Sequence, residues 1–241
     1  MSETRGFRLT AGLYVISVVL GLGTVLFAQV PVERVEKAGL EKASSFRAAG
    51  TQSRYRYVFE NERFTTPLVE VEFDGSGRGR FHFKKKDGRD VTNDLAVSDS
   101  LVSQVKSLFD EIDFLGSSED YQHKKDFSHL GKVTIRYSDG GREREASFNY
   151  TDNPSMSRLV DIFRNIATQE NRVFEIQTMR ENDPLSMPAQ MRMLESELKS
   201  KQIADPRQLV SLLEEIRQDE GLPLIARNHA ERLIKSIGKT K

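Results

Sequence analysis

Apolar residues first run unbroken, and only later with a period. From Leu9 to Ala28 the chain reads LTAGLYVISVVLGLGTVLFA. That is about 20 residues without a charge, enough helix to cross the roughly 30 Å hydrocarbon layer of a bilayer. A helix in a soluble core shows a polar stripe, and here only Thr10, Ser17 and Thr24 interrupt the run. Arg5 and Arg8 precede it, Glu33, Arg34, Glu36 and Lys37 follow, and Tyr14 and Phe27 lie toward its two ends, where aromatic side chains favour the membrane interface. Residues 1–31 are therefore expected to be a transmembrane anchor or a signal peptide. The apolar stretch is longer than a signal sequence needs. A cut near Ala28 would also place Leu26 where a small residue is preferred, so the uncleaved anchor is the first reading and secretion after cleavage the alternative.

Residues 32–53 carry too few apolar positions for a core helix and are read as a juxtamembrane tether. From Arg54 the period becomes two. RYRYVFE sets Tyr55, Tyr57 and Phe59 on one face, LVEVEFD sets Val69, Val71 and Phe73 against Leu68, Glu70 and Glu72, and RFHFK alternates Phe81 and Phe83 with His82. DGSGRG at 74–79 turns the second strand into the third. SDSLVSQVKSLFDEIDF then repeats every three to four residues, with Ser98 as N-cap and Leu101, Val102, Val105, Leu108, Phe109 and Ile112 as its stripe. KVTIRYSDGGREREASFNY predicts a second hairpin through Asp139, Gly140 and Gly141, with Ala146, Phe148 and Tyr150 alternating on its return arm. Asn153 and Pro154 begin a long helix carrying Met156, Leu159, Val160, Phe163, Ile166 and Ala167, and nothing breaks it before Asp183 and Pro184. Helical periods from 188 to 200, 206 to 219 and 222 to 237 complete the chain.

The predicted architecture is α+β. An antiparallel sheet of two hairpins plus an extra strand packs with two amphipathic helices over residues 54–183, and a small helical array follows over residues 184–241. No internal repeat and no family-diagnostic motif is present.

Composition narrows the chemistry. Thirty-six basic residues balance 36 acidic ones, so no global field gathers nucleic acid, and no nucleic-acid partner is expected. The absence of cysteine removes thiol nucleophiles, disulfides, Cys-ligated zinc and lipidated cysteine. After the span, Arg34, Lys37, Lys42 and Arg47 outnumber Arg5 and Arg8 before it, which by the positive-inside rule favours a cytoplasmic body. A short basic leader ahead of an apolar run is nevertheless the layout of an export signal, and an extracytoplasmic body is the expectation.

Candidate sites are few. DGSGRGRF leads into a strand, not the helix a phosphate loop needs, and Lys85 stands where a calcium loop needs Glu. His123 and His129, with Asp120 and Asp126, lack the spacing of a zinc set, and no cofactor is expected. His82 is read on the wet face of a strand, and His229 as a packing or capping residue. Ser103 with Lys106, and Ser196 with Lys199, have a nucleophile-and-base spacing without the companion motifs of Ser-Lys enzymes. The strongest local feature is basic: Arg78, Arg80, Lys84, Lys85, Lys86 and Arg89 against Asp87 alone, a possible contact to an anionic surface. The expectation is a non-catalytic envelope protein that binds a partner, with the C-terminal helices as one contact. An exported hydrolase whose site forms only in the fold is the alternative.

Overall fold

Strict alternation becomes strand wherever one face has something to bury. The computed structural model describes residues 52–239. Six strands, β1 (Arg54–Glu60), β2 (Leu68–Asp74), β3 (Arg78–Lys84), β4 (Asp90–Ala96), β5 (Lys132–Asp139) and β6 (Arg142–Phe148), form one antiparallel sheet in the order β4-β3-β2-β1-β5-β6. The expected architecture holds, with a correction: β4, DVTNDLA, adds a sixth strand that sequence reading passed over. Only Val91 and Leu95 are apolar on its inner side, and Asn93 sits between them opposite Phe81 of β3. Its partner imposes the pairing, and its composition alone does not.

Register stacks the inward residues in rows. Tyr57 of β1 lies between Val71 of β2 and Ile135 of β5, and Tyr55 between Phe73 and Tyr137. These side chains are almost fully buried. The opposite face is a charged checkerboard, with Arg56 2.8 Å from Glu70 and Arg136 2.7 Å from Glu145. One face therefore demands a cover and the other needs none.

Two helices supply the cover. α1 (Asp99–Glu111) lays Phe109 on Tyr137 at 4.6 Å between ring centroids, and α2 (Pro154–Asn182) stacks Phe163 on Tyr57 at 5.4 Å. Asn153 caps α2 as its position requires, its side chain accepting from the backbone N–H groups of Ser155 and Met156. Ser98 occupies the cap position of α1 with extended backbone but makes no cap hydrogen bond, and its buried hydroxyl has no partner. Arg144 points inward from β6 and closes the loop after α1, donating to the Phe114 carbonyl at 2.8 Å with its guanidinium 4.8 Å from the Phe114 ring.

α2 is 29 residues long and serves two cores. Met156 through Ala167 belong to the sheet core, whereas Ile176 begins a second cluster with Met187, Met191 and Leu194 of α3 (Met187–Lys199), Leu213 and Ile216 of α4 (Val210–Gln218), and Ala230 and Leu233 of α5 (Leu224–Ile237). Arg172 reaches α3, pairing with Glu197 at 2.6 and 2.8 Å, and Arg180 reaches Asp219 at 2.8 Å. A short turn, Pro206–Leu209, meets the edge of the sheet where the Gln208 side-chain amide donates to the Ala96 carbonyl at 3.1 Å. Among the described residues no helix is long and apolar enough to cross a membrane. The anchor or signal expected over residues 1–31 and most of the tether lie outside them.

Candidate functional site

Where the C-terminal end of β1 runs past α2, small side chains leave space. Ala167 and Thr168 face the ends of β1 and β2, and a groove of about 840 Å³ opens there. Its floor is apolar, made by buried Tyr57 with Phe59 and Val69. Its rim carries three exposed apolar side chains, Phe64 (47% exposed), Leu130 (41%) and Tyr150 (45%). Most large apolar residues of this sheet domain are buried, so three of them around one concavity mark it out.

Local chemistry holds the rim. Phe64 packs against Phe59 with ring centroids 5.6 Å apart. Leu130 precedes Gly131, whose φ of 96° is glycine's region and where an added Cβ would lie 2.7 Å from the Phe59 ring. Tyr150 packs on Phe127 at 5.1 Å and on His123 at 5.4 Å, and its carbonyl accepts from the His123 N–H. Asn149 fastens the neighbouring loop. Its side-chain oxygen accepts from the Gln122 amide at 2.8 Å and its nitrogen donates to Asp126 at 2.7 Å.

The polar wall comes from α2 and from residues 200–202 beyond α3. Arg164 lies beside the Tyr57 phenol, whose pKa burial pushes up and the nearby guanidinium partly lowers. Its nearest carboxylate, Asp161, stands 4.0 Å away. Asn165 donates to the Lys201 carbonyl at 3.2 Å, and the buried side-chain oxygen of Asn171 accepts from nothing. A buried acceptor without a donor is uncommon in folded proteins.

Glu170 shares the inward stripe of α2 with Phe163, Ala167 and Phe174 at helical spacing, and burial pushes its carboxyl up to about 7. It does not line the groove. Because the folded-state value lies above the ordinary carboxyl value, the fold favours the protonated form. Stability should be unaffected below about pH 4.5, fall between about pH 4.5 and 7, and carry the whole deficit above that. Glu170→Gln removes the titration. Discounted for partial exposure, the variant should exceed the parent by about 2 kcal/mol at pH 8 and equal it at pH 4, read by urea denaturation at both. An equal margin at both values would rule out the buried carboxyl as cause.

The structure disperses the basic run. Arg78, Arg80 and Lys84 lie along the open face of β3, whereas Lys85, Lys86 and Arg89 lie around the β3–β4 turn. Arg80 faces Glu72 at 4.0 Å, Lys84 meets Asp90 at 2.9 Å, Lys85 pairs with Glu175 of α2, and Arg89 binds Asp87 at 2.6 Å. Lys86 donates to the Arg63 carbonyl at 3.2 Å. Carboxylates from β2, β4 and α2 thus offset in space an excess that exists along the chain. Phe81 and Phe83 face the core.

Other candidates have structural partners. His82 on the open face contacts Asp90 at 2.7 Å, His123 faces Asp152 at 3.2 Å, and buried His229 meets Glu195 at 3.0 Å. Lys106 and Lys199 pair with Asp110 and Glu195, each at 2.7 Å, one turn from the serines with which they were matched. Among the described residues no three His, Asp or Glu side chains converge as metal ligands. Sequence reading missed the groove, although Phe64 and Leu130, apolar residues inside polar loops, were its available signal. No protein-family model and no curated protein matches the chain.

Proposed function

We propose that this chain is a non-catalytic binding domain of the cell envelope, held at or delivered through a membrane by residues 9–28, with its body outside the cytoplasm. The groove beside α2 receives a segment of a partner protein. The observation that carries the reading is the exposed trio Phe64, Leu130 and Tyr150 around an apolar floor. Burying such side chains is worth about 1.5 to 3 kcal/mol each, enough to make a short segment adhere. The helices beyond Pro184 offer a second, smaller contact: their stripes are consumed in their own core, but Leu185, Leu224 and Ile225 stay exposed. Recognition through Arg78, Lys86 and their basic neighbours would be subordinate, since most of that charge is already paired. The hydrolase alternative draws only on Glu170, which lies away from the groove.

A photocrosslinker at Phe64 in the full chain should trap a partner in intact cells. Leu130→Ser with Tyr150→Ser should reduce that adduct at least five-fold while leaving the far-ultraviolet circular dichroism unchanged. Equal yields from both proteins would reject the groove. Extraction of the intact, unprocessed chain as a soluble species would reject the membrane address.

A further inference from the structure

We infer that the groove recognises the C-terminus of a polypeptide that ends in a large apolar residue, an assignment that rests on the proposed binding role of this groove. Three properties of the site select that ligand. The floor of Tyr57, Phe59 and Val69 accepts an apolar side chain, and Ala167 leaves room for it. The polar wall is cationic on balance, because Arg164 and Lys201 face Asp161 alone. Asp161 contacts Arg164 only at 4.0 Å, and Lys201 makes no ion pair among the described residues. A guanidinium has five N–H donors in a fork that fits a carboxylate, and Asp161 at 4.0 Å leaves part of that fork unused.

The third property distinguishes a peptide from other apolar carboxylates. Thr168, Ser200 and Gln202, whose side chains can accept hydrogen bonds, line the groove wall. A peptide supplies backbone N–H groups beside its terminal carboxylate; a fatty acid supplies none. Capture of a C-terminal carboxylate next to a side-chain pocket is an established mode of peptide recognition. An apolar floor, a cationic wall and polar acceptors along it together describe its complement.

The test uses the full chain and three probes: a fluorescein-labelled Gly-Ser-Ala-Ala-Phe peptide with a free carboxylate, the same peptide as its C-terminal amide, and lauric acid as competitor. Fluorescence anisotropy should show the acid binding at least ten-fold more tightly than the amide. Arg164→Gln should abolish that ratio. Lys201→Gln, a change to an exposed side chain, should reduce it several-fold and serves as the control if loss of the Tyr57 contact disturbs the fold. Equal binding of acid and amide, no binding of either, or lauric acid displacing the peptide at lower concentration than unlabelled peptide does would overturn the assignment. If crosslinking at Phe64 still depends on Leu130 and Tyr150 while the peptides fail, only the C-terminal carboxylate is wrong. If both fail, the groove is not a binding site.

Discussion

Arg172→Ala is expected to cost about 3 kcal/mol, at the lower end of the range for breaking a buried ion pair because Glu197 keeps some contact with water. The guanidinium is 9% exposed and Glu197 is 16% exposed, and their two hydrogen bonds span the step from α2 to α3. Arg172 also donates to the Gln190 side chain at 2.7 Å. Removing it strands a half-buried carboxylate at the point where the sheet core hands over to the helical core. For a domain of this size the loss corresponds to roughly 6 to 12 °C in Tm. The double replacement Arg172→Met with Glu197→Leu tests the cause. If uncompensated charge is responsible, the double variant should recover most of the loss, because apolar side chains of similar volume often replace a buried pair without penalty. A double variant as unstable as the single would assign the effect to packing. Lys106→Ala breaks a pair whose members are both about half exposed, and should change stability by less than about 0.5 kcal/mol.

That junction shows where sequence reading works and where it stops. Tyr55, Tyr57, Val71, Phe73, Phe81 and Phe83 alternate because one face of a sheet is dry, and a period of two is visible without knowing the neighbours. β4 has no such signature, since Asn93 fills an inward position at the sheet edge under pairing to Phe81. Pro184 ends α2 and punctuates the chain, yet Ile176, before the proline, already belongs to the helical core. A proline stops a backbone; it does not decide which face of the preceding helix is covered. The groove was illegible for a related reason. Its rim is gathered from the β1–β2 loop, the segment before β5 and the residues beyond β6, three places without periodicity. Tyr150 follows the alternation of Ala146 and Phe148, but β6 ends at Phe148 and the tyrosine turns outward. The charge balance around the basic hairpin was hidden for another reason: Glu72 and Glu175 are distant in sequence from the cations they meet.

Gly79→Ala should be as costly, at about 3 kcal/mol or more, and for a reason confined to one bond length. Gly79 lies on the inward side of β3 opposite Phe73 of β2. A Cβ there would fall 1.8 Å from the Glu72 carbonyl oxygen and 2.6 Å from the Phe73 Cα. Both obstacles are backbone of a central strand, so no side-chain rotation relieves them and the β2–β3 ladder must part locally. Overpacking a filled core commonly costs 1 to 3 kcal/mol when side chains can adjust, and here they cannot. Gly88→Ala separates steric collision from loss of glycine's freedom. That residue has φ 92° with nothing within 4 Å of an added Cβ, so its replacement should cost only the conformational strain, about 1 to 2 kcal/mol. Urea denaturation of both variants gives the comparison. A Gly79 variant no less stable than the Gly88 variant would mean that β2 and β3 are free to separate at that point. The ladder that carries Phe73 and Phe81 into the core would then be looser than its register implies.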